Sequence, residues 1–141
     1  MKLNLDGIIL EFEVREYEKS IKEKRDQQWC RTTLHVQSNH INYFEDSRII
    51  LSHELEMLHK HLKLLLDRKL SRSEHIFLTE PVLEFRLRPA TDISSDLDMY
   101  WIINLRDDTG IVTANNLQLL FDESSAEKFY KYLSGIIDSQ N

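Results

Sequence analysis

Apolar and polar residues alternate at a period of two through most of this chain, and only twice does the spacing lengthen to the three-and-four step of a helix. That pattern confines the fold to strands with one buried face, accompanied by one-sided helices. Leu3 to Leu5, Asp6-Gly7 and Ile8 to Tyr17 read as strand, tight turn and strand, because Asp-Gly supplies the positive φ angles a two-residue hairpin requires. Ile8, Leu10, Phe12 and Val14 share the inner face, and Glu11, Glu13 and Arg15 share the outer one. Glu18 to Gln28 mixes charges without an apolar period and reads as a solvated loop. A third strand over Trp29 to Gln37 puts Cys30, Thr32, Leu34 and Val36 inward and Trp29, Arg31, Thr33 and His35 outward. The turn Ser38-Asn39-His40 then leads into a fourth strand around Ile41 to Phe44.

Leu51, Leu55, Leu58, Leu62 and Leu65 draw one apolar stripe, predicting a helix from about Ser52 to Lys69 with Ser52 as its N-cap. The period then returns to two, with Phe77, Leu83, Phe85 and Leu87 inward and Glu80, Glu84, Arg86 and Arg88 outward. Pro81, lacking an amide donor, belongs at a strand start, an edge or a bulge. After a polar connection over Ala90 to Asp98, Met99, Trp101, Ile103 and Leu105 form another inward row. Asp107-Asp108-Thr109-Gly110 turns the chain, and Ile111 to Phe121 returns antiparallel. Ser124 and Glu127 have the spacing of a capping box that opens a second helix. Phe129, Tyr130, Leu133, Ile136 and Ile137 make its buried face, with Gly135 read as a close approach to the sheet. The expected fold is one α+β domain over residues 1–141, an antiparallel sheet of six or seven strands with two helices on one face, in the order ββββα βββα. Its open face would carry Glu11, Glu13, Arg31, His35, Glu84, Arg86 and Arg88, with Trp29 and Tyr100 as aromatic anchors for a partner.

Familiar chemistries find little footing. His53, His59 and His61 share the first helix at separations that point them apart, whereas helical metal pairs stand three or four residues apart. Ser52-His53 lacks a nucleophile elbow, and the strand parity of Cys30 makes it a small buried hydrophobe. The only glycines, Gly7, Gly110 and Gly135, form no phosphate-cradling loop. Outward or turn carboxylates such as Glu80 and Glu84, or Asp107 and Asp108, have the simpler explanation of solvation. No metal or cofactor is expected. A single cysteine, an N-terminus without a signal peptide and the lack of any run of about 18 apolar residues make a cytoplasmic protein with no membrane partner the expectation.

Charge is the more pointed signal. Asp92, Asp96, Asp98, Asp107, Asp108, Asp122 and Glu123 face only Arg106 between positions 92 and 123, so this segment alone accounts for the net charge of -6. The long-range field repels phosphate, so nucleic acid is not expected as a partner; the segment is either a surface that steers a basic protein or a solvated one whose clusters each belong to a loop, a turn or a helix start. The candidate partner-binding residues are Asp96, Asp98, Asp107, Asp108, Asp122, Glu123, Trp29 and Tyr100.

Glu80-Pro81-Val82-Leu83-Glu84-Phe85 reads E-P-x-L-x-F at a strand start, and in this it resembles the central motif of the WapI family of bacterial immunity proteins. The order of the surrounding parts agrees: a strand opened by Trp29, a Leu-rich helix from Ser52, the Glu-Pro strand, then a hairpin and a terminal amphipathic helix. The resemblance implies a cytosolic antidote, without catalytic activity, that binds the C-terminal toxin domain of a large secreted or wall-associated polymorphic toxin. Such toxins are often nucleases with basic grooves, which an acidic surface would occupy. Two competing classes are a small-ligand domain or enzyme assembled from Glu80, Glu84 and His35, and an acidic adaptor or secretion chaperone. A concave pocket with shifted acid–base groups marks the first, and an exposed apolar groove the second.

Overall fold

The structure, a computed structural model, describes residues 1–139. Strands β1 (Lys2–Leu5), β2 (Ile8–Arg15), β3 (Trp29–Gln37) and β4 (Asn42–Leu51) precede helix α1 (Ser52–Leu66). Strands β5 (Glu74–Phe77), β6 (Leu83–Arg88), β7 (Asp98–Arg106) and β8 (Val112–Phe121) precede helix α2 (Glu123–Asp138). Each set of four strands makes its own antiparallel sheet in sequence order, β1-β2-β3-β4 and β5-β6-β7-β8. The α+β class is as expected, but one sheet of six or seven strands is corrected to two sheets of four.

An extra strand, β5, makes the count eight, and β4 and β5, on either side of α1, do not pair, so the sheets stay separate. A hairpin occupies residues 74–88, and the turn between Phe77 and Leu83 resets the alternation. Ile76 and Leu78 are therefore the buried residues, and Phe77, expected inward, is 66% exposed. Pro81 lies in that turn just before β6, where it removes no ladder bond.

Where the alternation is long it reads correctly. β3 has the expected bounds, and Cys30, Thr32, Leu34 and Val36 are fully buried. Asp6 (φ 53°) and Gly7 (φ 90°) adopt the left-handed turn expected of them. β4 runs on to Leu51, further than the expected end near Phe44, so the helix follows the strand without a loop. Ser52 is buried with its hydroxyl 3.7 Å from Cys30 Sγ and does not cap; Glu54 takes that work. The Glu54 carboxylate accepts the Leu51 N–H at 3.0 Å and, from the β5–β6 turn, the Thr79 N–H at 2.6 Å. α1 ends at Leu66, short of Lys69, because Arg68 turns left-handed (φ 57°) and the Lys69 N–H returns to Leu64 O at 2.8 Å.

A single residue separates Phe121 from the start of α2 at Glu123, so the cap is Asp122, which accepts the Ser125 N–H at 2.8 Å, and not Ser124. Its fully buried residues are Ala126, Phe129 and Leu133, while Tyr130, Ile136 and Ile137 are half-buried. The two helices pack on each other, His59 stacking on Tyr130 with ring centres 4.7 Å apart. One buried cluster draws on both sheets and both helices.

Gly135 is exposed, and a methyl group built there meets nothing within 4 Å, so the expected close approach to the sheet is absent. Gly135→Ala should therefore stabilise the fold by about 0.5–1 kcal/mol, through helix propensity and a less free unfolded chain. Urea denaturation checks this, and a loss of stability would show that the position is not free.

Candidate functional site

β7 starts, β8 ends and α2 begins at one end of the second sheet, and a groove of about 610 Å³ opens there. Its lining contains Asp96, Asp98, Asp122, Glu123 and Glu127, together with Leu97 and Leu120 and no basic residue. Leu120 is 49% exposed and forms an apolar lip among the carboxylates. Two arginines reach in from outside: Arg88 pairs with Asp98 at 2.9 Å and Arg68 with Glu123 at 3.4 Å. Asp96 and Glu127 are exposed, and Asp122 spends one oxygen on its cap. The positive end of the helix dipole makes it favourable for carboxylates to gather there.

The six acidic residues expected to form one patch are thus divided. Asp96, Asp98, Asp122 and Glu123 share the groove, whereas Asp107 and Asp108 sit at the far end of the nine-residue β7, about 30 Å away. Asp107 is occupied by its own turn, accepting from the Thr109 N–H (2.9 Å), the Thr109 hydroxyl (2.7 Å) and the Ile111 N–H (3.0 Å). These bonds hold its carboxyl below the usual carboxylate range. Asp108 is exposed and carries no such duty.

Tyr100 lies opposite Leu120 in the β7–β8 ladder, beside the groove, with the Arg88 guanidinium 5.3 Å from its ring centre. Trp29 stands apart from the groove: it is half-buried, on the other sheet, beside Glu16, Gln28 and Arg48. Its ladder partner Leu51 is at the start of α1, while the groove adjoins Arg68 just past the helix end, roughly 20 Å of helix away. The single open face also divides, with Glu11, Glu13, Arg31 and His35 on the first sheet and Glu84, Arg86 and Arg88 on the second.

His35, Glu80 and Glu84 do not meet. His35 bonds Asn42 at 2.8 Å on the first sheet, Glu84 bonds His75 at 2.7 Å and Asn104 at 2.5 Å on the second, and Glu80 lies 3.4 Å from Arg106. Among the described residues no group of three or more His, Cys, Asp or Glu is arranged to hold a metal ion, and no helix is long and apolar enough to cross a membrane. The groove residues missed in the sequence are Glu127 and Leu120. The run Leu119-Leu120-Phe121 conceals which of its members faces out, and Glu127 reads first as a capping residue.

Two titrating groups hold parts of this scaffold together. Burial raises the Glu56 carboxyl, but the Ser20 hydroxyl and amide and the Tyr17 hydroxyl all donate to it, and together they hold it below its ordinary 4.5. Burial between the helices lowers His59 below its ordinary 6.5, with its ring 2.8 Å from the Ser134 hydroxyl. Both groups take up protons more readily when unfolded, so both contributions are present at neutral pH and are lost on acidification. Stability should fall as pH drops below 6.5 through His59, and again below 4.5 through Glu56. Urea midpoints across that range check this, and His59→Gln should flatten the upper step.

Neither the curated proteins nor the solved structures contain a match to the chain. The model of the immunity protein WapI-like family matches residues 2–140, from the first strand to beyond the last helix, and the chain therefore belongs to the WapI-like immunity protein family.

Proposed function

We propose that this protein acts in the cytoplasm as a non-catalytic antidote, binding the C-terminal domain of a polymorphic toxin and occluding it by bulk and charge. The observation that carries the reading is the convergence of five carboxylates around the apolar lip of Leu120, with only Arg68 and Arg88 to offset them. An apolar contact ringed by one sign of charge fits a basic surface, and a toxin that grips phosphate presents such a surface. Inhibition follows when the groove's carboxylates occupy positions that substrate phosphates would take. Tyr100, beside the lip, adds an amphipathic contact of the kind that concentrates binding energy.

Co-expression with the toxin domain of the neighbouring gene, scored as survival, tests the reading, and association kinetics on purified proteins locate it. The triple variant Asp96→Asn, Glu123→Gln, Glu127→Gln should remain folded and associate about tenfold or more slowly at low salt, the difference shrinking as salt is raised. Unchanged association and unchanged protection would remove the groove from the interface.

A further inference from the structure

The outer edge of a sheet offers unpaired backbone groups, and three of the four edges here carry the usual protection. β1 and β5 are four residues long, and β4 carries Glu45, Asp46 and Arg48. β8 has no such device: it runs ten residues at the edge of the second sheet, and Ile111 to Phe121 contains no charged residue, proline or glycine. β1 comes near β8 from the other sheet but does not pair with it.

The register identifies which amides lie on the open side. The Asn104 N–H donates to Val82 O, toward β6, so the Asn104–Asn116 pair has no bond across the β7–β8 ladder. Backbone groups alternate along a strand, which directs the N–H and C=O of Asn116, Gln118 and Leu120 away from β7. All three of these residues are exposed.

Charge selects the occupant. Asp107-Asp108 stands just before the uncharged run and Asp122-Glu123 just after it. Antiparallel pairing of β8 with a second copy would bring one copy's first pair beside the other's second pair, acid against acid, which opposes self-association. A strand that is uncharged for about ten residues and basic at both ends meets attraction at each end. Leu120 and Asp122 also line the acidic groove, so the edge is continuous with the surface assigned above to the toxin.

We infer that β8 is the docking edge for an extended segment of the toxin domain, with basic residues at both ends, which adds to the second sheet as a fifth strand. This gives the divided acidic residues one purpose, since the two clusters mark the two ends of the same strand. The inference rests on the toxin-binding reading.

The test is amide hydrogen exchange on this protein, free and in complex with an inactivated toxin domain from the neighbouring gene. The Asn116, Gln118 and Leu120 amides should slow by about 100-fold or more on binding, while those of Leu117 and Leu119, already facing β7, change little. Gln118→Pro, which deletes an open-side donor without breaking the β7 ladder, should weaken the complex about tenfold or more, with its fold checked by circular dichroism. A complex that forms with the three amides unchanged overturns strand addition and leaves toxin binding standing. Failure to form any complex overturns the toxin reading and this one with it. A dimer of the free protein with those amides protected would assign the edge to a second copy and overturn the inference as well.

Discussion

Trp101→Ala should cost about 3–5 kcal/mol, a large share of the roughly 5–15 kcal/mol that holds a domain folded. Trp101 is fully buried on β7 and touches aromatic rings from both halves of the chain: Phe12 of β2 at 4.9 Å, Phe85 of β6 at 5.3 Å, Phe121 of β8 at 4.9 Å and Phe129 of α2 at 4.7 Å between centres. Removing the indole leaves a cavity where the sheets meet, and rings fixed on three strands and a helix cannot easily close it. The indole N–H finds no hydrogen-bond partner, so Trp101→Phe, which deletes that donor and keeps a ring, should cost distinctly less. Urea denaturation with a constant slope gives both values. A loss under about 1 kcal/mol for the alanine variant would mean that the two halves do not depend on a shared core.

Glu54→Ala should cost about 1–3 kcal/mol, even though it removes no apolar contact. The carboxylate is 3% exposed and accepts backbone amides from two places, Leu51 at the β4–α1 junction and Thr79 in the β5–β6 turn. Truncation leaves the buried Leu51 amide unpaired and frees the turn that carries Pro81. Glu54→Gln serves as the comparison, because its amide can accept only one bond well and sets a donor against the other N–H. Equal stability of wild type and both variants in urea would show that water replaces the carboxylate without cost. The Glu-Pro motif and the leucine helix, distant in the sequence, share the core, and this side chain adds a hydrogen-bonded tie between them.

Much of the fold is legible in the sequence because strand parity is a local property. Nine alternating residues suffice to delimit β3 and name its inward members, and Asp6-Gly7 dictates its own hairpin. Parity does not say where one strand ends and the next begins when the sequence keeps the count through a turn that does not. Phe77 and Leu83 match in sequence phase, yet the turn leaves one outward and the other inward, so the strand Glu74–Phe77 goes unread. Nor does parity say which inner faces meet: Phe12 against Trp101 is a packing fact that depends on the whole chain. The acidic signal was similarly half-legible, since seven acidic residues in one segment mark a charged region but not its division along the length of β7. Trp29 faces out at the start of β3 as its parity says, but parity does not say how far from the groove it stands, half-buried beside Gln27 and Gln28 on the other sheet.

The repeated order of four strands and a helix leaves only residues 67–73 joining the halves, a stretch exposed at every position but Leu70. Physically the molecule is two unlike subunits on a leash. While the leash is whole, each half meets the other at an effective concentration that a short tether sets at roughly the millimolar level. A protease cutting there would break no ladder bond and remove no core side chain, yet it would turn folding into association, and the stability of the protein would depend on how much of it the cell contains.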